Sequence, residues 1–436
     1  MTTETSVSVI GGVKASLNGR ALLFTIPLSL MLLVCPAMAQ TAVSELDKQA
    51  SKLSLHRTEM EFADYFKQLK NSRFKQQSKL VENLSAQLVS VSDSSISWCD
   101  KVALDNIQYT LQLANSRLEL LGRLPATSPD YQGSFSKLYE GDKWYAHWLQ
   151  SWLHADVTVA ELEAIALSEL ADAKARRAQL SSSELSGSFI ELDGDDNAAI
   201  VSAYRQREQT VYQRSEQVFG VTFAAKAVNI TKSNLPKSFP APGIYDPATQ
   251  AFIYHLHGDT LPVKQMDWLF LHEAVPGHHF FSEYAQHAVI CPSYKIRQGT
   301  TLFTEGWAAY VETLGHQLGL FTDRTSAEYA LDWQELRAVR VLIDIGIHTQ
   351  GWDDSKAQDL WMSHIPEQKD IMVREINRIR RWPVQVITYV YGKAKIMQTI
   401  AEIMSRSPET SLADIHRDIL NISNFSLRAM DYITAF

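Results

Sequence analysis

Residues 272–279 read His-Glu-Ala-Val-Pro-Gly-His-His, and this run constrains the fold more than any other stretch of the 436-residue chain. In the usual HExxH arrangement two histidines four residues apart share one helix face, and the glutamate beside the first serves as general base. Here Pro276 stands four residues after His272, where a proline removes an amide donor and crowds the preceding turn. On an unbroken helix His278 would lie roughly 240° around from His272, on nearly the opposite side. If Pro276 and Gly277 form a two-residue break from which the helix restarts, His278 takes the place of the usual second histidine. His279 is the competing candidate; seven residues from His272 it returns to the same face, but roughly 10 Å along the axis, too far to share one zinc. The run therefore predicts a broken helix with His272 and His278 as metal ligands and Glu273 as base.

Catalytic zinc takes three protein donors and leaves its fourth position to water. Glu305, in Thr-Glu-Gly-Trp, is the expected third ligand. Glu312 lies seven residues further on the same helix face and would orient a ligand histidine through its free ring nitrogen.

A third segment, Glu335–Gln350, places Arg337, Arg340, Asp344 and His348 at intervals of three and four among Val339, Val341, Leu342, Ile343, Ile345 and Ile347. Charged groups on so apolar a rod are costly to bury unless they are paired or face a cleft. The stripe is read as the wall of a site rather than an intrahelical salt-bridge ladder. His348 would donate to a developing oxyanion, and Arg337 or Arg340 would bind a substrate carboxylate.

The apolar run Ala21–Val34, ending near Ala37-Met38-Ala39, reads as a secretory signal peptide over residues 1–39, cleaved after Ala39, with export to the periplasm. It is too short and too early for a lasting transmembrane anchor. Leu32-Leu33-Val34-Cys35 only faintly resembles a lipoprotein box, because Val34 is a poor fit for the small residue expected before a lipidated cysteine. Beyond the signal, Cys99 and Cys291 could form one disulfide, and sequence leaves their pairing open. A net charge of −8 argues against nucleic acid as a partner.

Apolar spacings of three and four predict helices over 43–91, 101–123, 134–152 and 158–182, the last capped by Thr158 with Glu161. Residues 181–197 read as an exposed connection. Between Phe219 and Thr260, β-branched and aromatic residues among Pro236, Pro240, Pro242 and Gly243 predict a small sheet. Its candidate strand, Ala251–Leu256, is either a plain core strand or an edge that receives a peptide substrate. Helices return at roughly 262–275, 303–319, 326–349, 367–380 and 383–404. The expected organisation is an amino-terminal helical region, 40–197, packed as one unit with a catalytic region, 198–436.

Taken together, HEAVPGHH, TEGWAAYVE, RAVRVLIDIGIHTQGW and Trp382–Gly392 resemble the bacterial proteins grouped as domain of unknown function 885, a family that looks related to gluzincin metallopeptidases. The resemblance spans about 225–400, and Val384 stands where family members often have glycine. It implies a mainly α, multi-helical gluzincin-like fold with His272, His278 and Glu305 as metal ligands and Glu273 as base. It also places Tyr389, which spacing alone does not single out, near the reacting carbonyl. The expected function is an exported zinc metallopeptidase that cleaves peptide amides. The rival is an inactive periplasmic binding or scaffolding protein on the same fold, which the retention of Glu273 beside His272 argues against.

Overall fold

A computed structural model describes residues 36–436 apart from 54–59, 72–73, 90, 92–95, 181–189, 221–226, 240, 288–290, 292–293, 295–300, 423–425 and 434–436. The expected signal segment up to Cys35, most of the connection at 181–197, and Pro240 lie outside the described residues.

The periodic amino-terminal segments form α1 (Pro36–Ala50), α2 (Phe62–Asn71), α3 (Phe74–Val89), α4 (Trp98–Arg123), α5 (Gly141–Leu153) and α6 (Val159–Gln179). Thr158 caps α6 as expected: its hydroxyl accepts from the Glu161 amide at 3.2 Å, and its own amide donates to Glu161 Oε2 at 2.7 Å. After the short strand β1 (Glu191–Asp193) comes α7 (Asn197–Phe219), a helix that apolar spacing does not reveal. Its buried face runs Ile200, Tyr204, Glu208, Val211, Ser215, Val218, so two polar residues interrupt the pattern. Glu208 is matched there by Arg205 at 2.6 Å and by the Val228 amide at 2.9 Å.

The expected sheet consists of β2 (Asn229–Lys232), β3 (Gly243–Asp246) and β4 (Ala251–Tyr254), in the order β2-β4-β3. β2 runs parallel to β4 and β3 antiparallel, with Ile244 opposite Ile253. A further strand, β5 (Thr260–Pro262), pairs with β1. The candidate strand at Ala251 is therefore the sheet's centre, with both edges occupied, and cannot accept a peptide; β3 is an edge strand. β3 packs on the first site helix, and a Cβ on Gly243 would lie 3.2 Å from the Leu269 methyls.

The remaining helices are α8 (Met266–Glu273), α9 (His278–His287), α10 (Thr301–Val311), α11 (Arg324–Gln350), α12 (Asp354–His364), α13 (Lys369–Arg381), α14 (Ile387–Arg406), α15 (Leu412–Asn421) and α16 (Met430–Ile433). Residues 36–436 make one compact unit, mainly helical, with α11 at its centre. Every residue from Leu336 to His348 is buried, including four ionisable ones. α6 lies along one side of α11, where Arg177 Nη2 meets Asp332 at 2.9 Å and Glu335 at 3.0 Å.

α10 and α14 cross through two facing glycines: a Cβ on Gly306 would stand 2.6 Å from Gly392 Cα. Cys99 on α4 forms a disulfide with Cys291, resolving the pairing that sequence leaves open. Among the described residues no helix is long and apolar enough to cross a membrane.

Candidate metal centre

α8 ends at Glu273 and α9 begins at His278, so the helix is broken over Ala274–Gly277, where the Val275–Pro276 peptide is cis. Only glycine fits at 277, because a Cβ there would stand 2.0 Å from the His272 carbonyl oxygen. The Trp307 indole donates to the Pro276 carbonyl at 2.8 Å, which ties the break to α10. The His272 and His278 ring centroids are 4.7 Å apart.

Glu305 Oε2 completes the group, 3.6 Å from His272 Nε2 and 3.4 Å from His278 Nε2. It is buried and accepts no hydrogen bond. Zinc bonds of about 2.0–2.1 Å in tetrahedral geometry place neighbouring ligand atoms about 3.3–3.4 Å apart, so Glu305 Oε2 stands near the separation a shared zinc ion requires from each histidine, and all three donor atoms lie within 4.8 Å of one another. Among the described residues this is the one group of three or more histidine, cysteine or carboxylate side chains so converged.

A polar chain stands behind the donors. Glu312 Oε1 is 2.7 Å from His272 Nδ1, and Arg337 Nη1 donates to Glu312 Oε2 at 2.6 Å. Burial alone would raise the Glu312 carboxyl, but Arg337 and His272 hold it down at about 2. Trp268 stacks on His272 at 5.6 Å and on Trp333 at 4.3 Å, fixing the imidazole plane from the side.

Glu273 is buried beside the donors, and burial raises its carboxyl while His272 and His278 oppose that rise. Tyr389 stacks over His272 at 6.4 Å and receives a long hydrogen bond from Gln385 at 3.4 Å. Burial, then Glu305, pushes its phenol up, so it keeps its proton. His279 is turned to Tyr245, with ring centroids 5.6 Å apart, and is outside the converged group.

Two expectations from α11 need correction. Arg337 and Arg340 do line the cavity, but Glu312 already holds Arg337, and Glu375 holds Arg340 Nη1 at 2.9 Å. Their guanidinium carbons also lie over the Tyr389 ring at 5.1 and 5.3 Å, so both already have protein partners. His348 is fully buried among Tyr131, Phe135 and Tyr145, and its Nε2 lies 3.2 Å from the Ile379 carbonyl. Burial lowers its pKa to about 3, and the neutral ring ties α11 to α13 away from the cavity. Asp344, one turn earlier, accepts from Tyr145 at 2.7 Å and from the Val384 amide at 2.8 Å.

The donors open into a cavity of about 690 Å³ lined by Tyr245, Phe281, Arg378, Trp382, Gln385 and Tyr389 as well as His278 and Glu305. A second lobe of about 470 Å³ adds His272, Glu273 and the β3 residues Gly243 and Ile244. Sequence reasoning missed Arg378, Gln385 and Tyr245. Arg378 sits in the basic last turn of α13, where cations are common for helix-dipole reasons alone, so its local pattern carries no distinguishing mark.

A family model described as "Bacterial protein of unknown function (DUF885)" matches residues 31–431. The chain belongs to the DUF885 family. No curated protein matches this DUF885 chain. Its fold is similar to that of a "putative lipoprotein" from Colwellia psychrerythraea, with a TM-score of 0.58 and 20% identity over 92% of this chain and 70% of that one. It is also similar to a "putative lipoprotein of unknown function" from Shewanella oneidensis, with a TM-score of 0.54 and 15% identity over 92% and 93%. Val384 of this DUF885 protein has φ +70°, a left-handed conformation that glycine adopts freely and a β-branched residue rarely does.

Proposed function

We propose that this DUF885 protein is an exported zinc-dependent hydrolase, a metallopeptidase of gluzincin-like fold that cleaves peptide amide bonds. The observation that carries the reading is the convergence of His272 Nε2, His278 Nε2 and Glu305 Oε2, at spacings that suit tetrahedral zinc, on the wall of a large open cavity. When bound, zinc would supply a Lewis acid and bring the pKa of a water molecule toward about 7.

The protein's own groups supply the rest. Glu273 takes the proton from the attacking water at its carboxylate and passes it to the leaving amine; its burial, by raising its pKa, suits that exchange. Tyr389 donates a hydrogen bond from its phenol to the carbonyl oxygen as charge develops there and keeps its proton. Glu312, held in place by Arg337, fixes the His272 ring so that Nε2 faces the metal position. β3, the edge strand along the cavity, offers backbone groups to an extended peptide. The disulfide supports an oxidising compartment, in keeping with the apolar leader.

The test combines elemental analysis of mature protein with a peptide-cleavage screen. About one zinc per chain is expected, retained in Glu273→Gln, which loses cleavage, and in His279→Ala. His278→Ala and Glu305→Ala should lose the metal. Metal retained in His278→Ala would overturn the ligand set, and cleavage retained in Glu273→Gln would overturn its role as base.

A further inference from the structure

The cavity holds more positive charge than its own carboxylates neutralise. Arg374, Arg378 and Arg381 lie at i, i+4 and i+7 on α13 and all line it, together with Arg340 from α11. Glu375 alone serves three of them: Arg340 Nη1 at 2.9 Å, Arg374 Nε at 3.4 Å and Arg378 Nη1 at 3.7 Å. Arg381 has partners of its own, Glu61 at 3.4 Å and the Trp382 ring at 4.6 Å. Arg337 is matched by Glu312, and Glu273 and Glu305 face the metal position, where a divalent cation would balance them. Two guanidinium charges are left over. Like charges in a cleft repel one another and are costly to desolvate, so an arrangement of this kind suits a ligand that brings the opposite sign.

Arg378 is the member best placed to meet such a ligand. It lines both lobes, and its side chain is 31% exposed, against 3% for Arg340. Its Nη2 donates to Gln385 Oε1 at 2.8 Å, and Gln385 Nε2 in turn donates to the Tyr389 hydroxyl at 3.4 Å. This chain sets the guanidinium one side chain away from the phenol assigned to the reacting carbonyl.

We propose that Arg378, supported by Arg374, is an anion subsite that selects peptides carrying a carboxylate close to the scissile bond. The proposal rests on the peptidase reading above. A free chain terminus and an acidic side chain both present this carboxylate chemistry.

The experiment measures binding, so it does not depend on turnover. Zinc-loaded Glu273→Gln protein is titrated calorimetrically with N-acetyl-Ala-Ala-Ala, its C-terminal amide, and N-acetyl-Ala-Asp-Ala-amide. A charge-assisted contact with a carboxylate contributes about 1.5–3 kcal/mol, so at least one carboxylate peptide is expected to bind roughly 10–100-fold tighter than the neutral amide. Adding Arg378→Gln should bring that peptide down to the level of the amide, and Arg378→Lys should recover part of the difference. Zinc content and thermal stability are followed as controls for folding, and Arg374→Gln, expected to give a smaller loss, substitutes if Arg378→Gln does not fold. Preference for the free acid identifies a terminal carboxylate, and preference for the aspartyl peptide an acidic side chain. Equal binding of all three peptides, no binding of any, or a preference that survives Arg378→Gln overturns the subsite. Cleavage by wild-type protein without this discrimination would leave the hydrolase standing and remove the subsite. Discriminating binding with no cleavage of any peptide would do the reverse.

Discussion

Replacing Gly392 by alanine should force apart the two helices that carry Glu305 and Tyr389. A Cβ at 392 would lie 2.6 Å from the Leu302 carbonyl oxygen and 2.7 Å from Gly306 Cα, both backbone atoms of α10. Favourable contacts of this kind fall at about 3.5–4.0 Å, so the crossing must open by roughly 0.9 Å, and no side-chain rotation can relieve it. Overpacking of this sort costs about 1–3 kcal/mol, offset in part by roughly 0.5–1 kcal/mol from replacing a helical glycine with alanine. The site feels the shift directly, because Glu305 immediately precedes Gly306 and Tyr389 lies three residues before Gly392. Zinc tolerates ligand displacements of only about 0.2 Å, so metal affinity should fall along with stability. The assay pairs urea unfolding with a chelator titration of zinc. Gly122→Ala is the control, since nothing lies within 4 Å of a Cβ at that exposed position near the end of α4; it should be neutral or slightly stabilising. If Gly392→Ala matches the control in both stability and zinc affinity, the glycine crossing does not set the geometry of the site.

Burial raises the Asp344 carboxyl to about 7, against about 3.9 in an unfolded chain, so the folded state holds this proton more tightly. The associated stability is fully present below about pH 4 and is lost as pH rises to about 7, up to about 4 kcal/mol at 1.36 kcal/mol per unit; Asp344→Asn should flatten that stretch of the stability–pH curve, and an unchanged slope would refute the assignment. Glu312→Ala leaves the Arg337 guanidinium buried without its carboxylate, so unfolding measurements should show a loss of about 3–5 kcal/mol, and chelator competition a 10–100-fold loss of zinc affinity. Wild-type values for either would sever Glu312 from the site.

Much of the site could be read from local spacing, because it was written within short windows. Pro276 and Gly277 announced the break, and the break decided between His278 and His279. What could not be read was set by partners distant in sequence. The α11 stripe was visible, but whether Arg337 waits for a substrate or is held by a protein carboxylate depends on Glu312 and on how α10 approaches. His348 looked like an oxyanion donor until Phe135 and Tyr145 from the amino-terminal region closed over it. α7 escaped notice because Glu208 and Ser215 occupy core positions that an apolar count expects to be hydrophobic. Arg378 escaped because the face of α13 that meets the cavity is chosen by packing against α11 and α12, not by α13's own composition.

The disulfide has a topological meaning as well. Cys291 falls between His278 and Glu305, so the bond fastens the connector between the second and third donors to α4, 192 residues earlier in the chain. A single proteolytic cut anywhere between the two cysteines would leave the pieces covalently joined, and the connector would stay anchored near its middle. Reduction would remove that anchor without touching a donor, so the redox state of the surroundings bears on how firmly the two halves of the constellation are held in register.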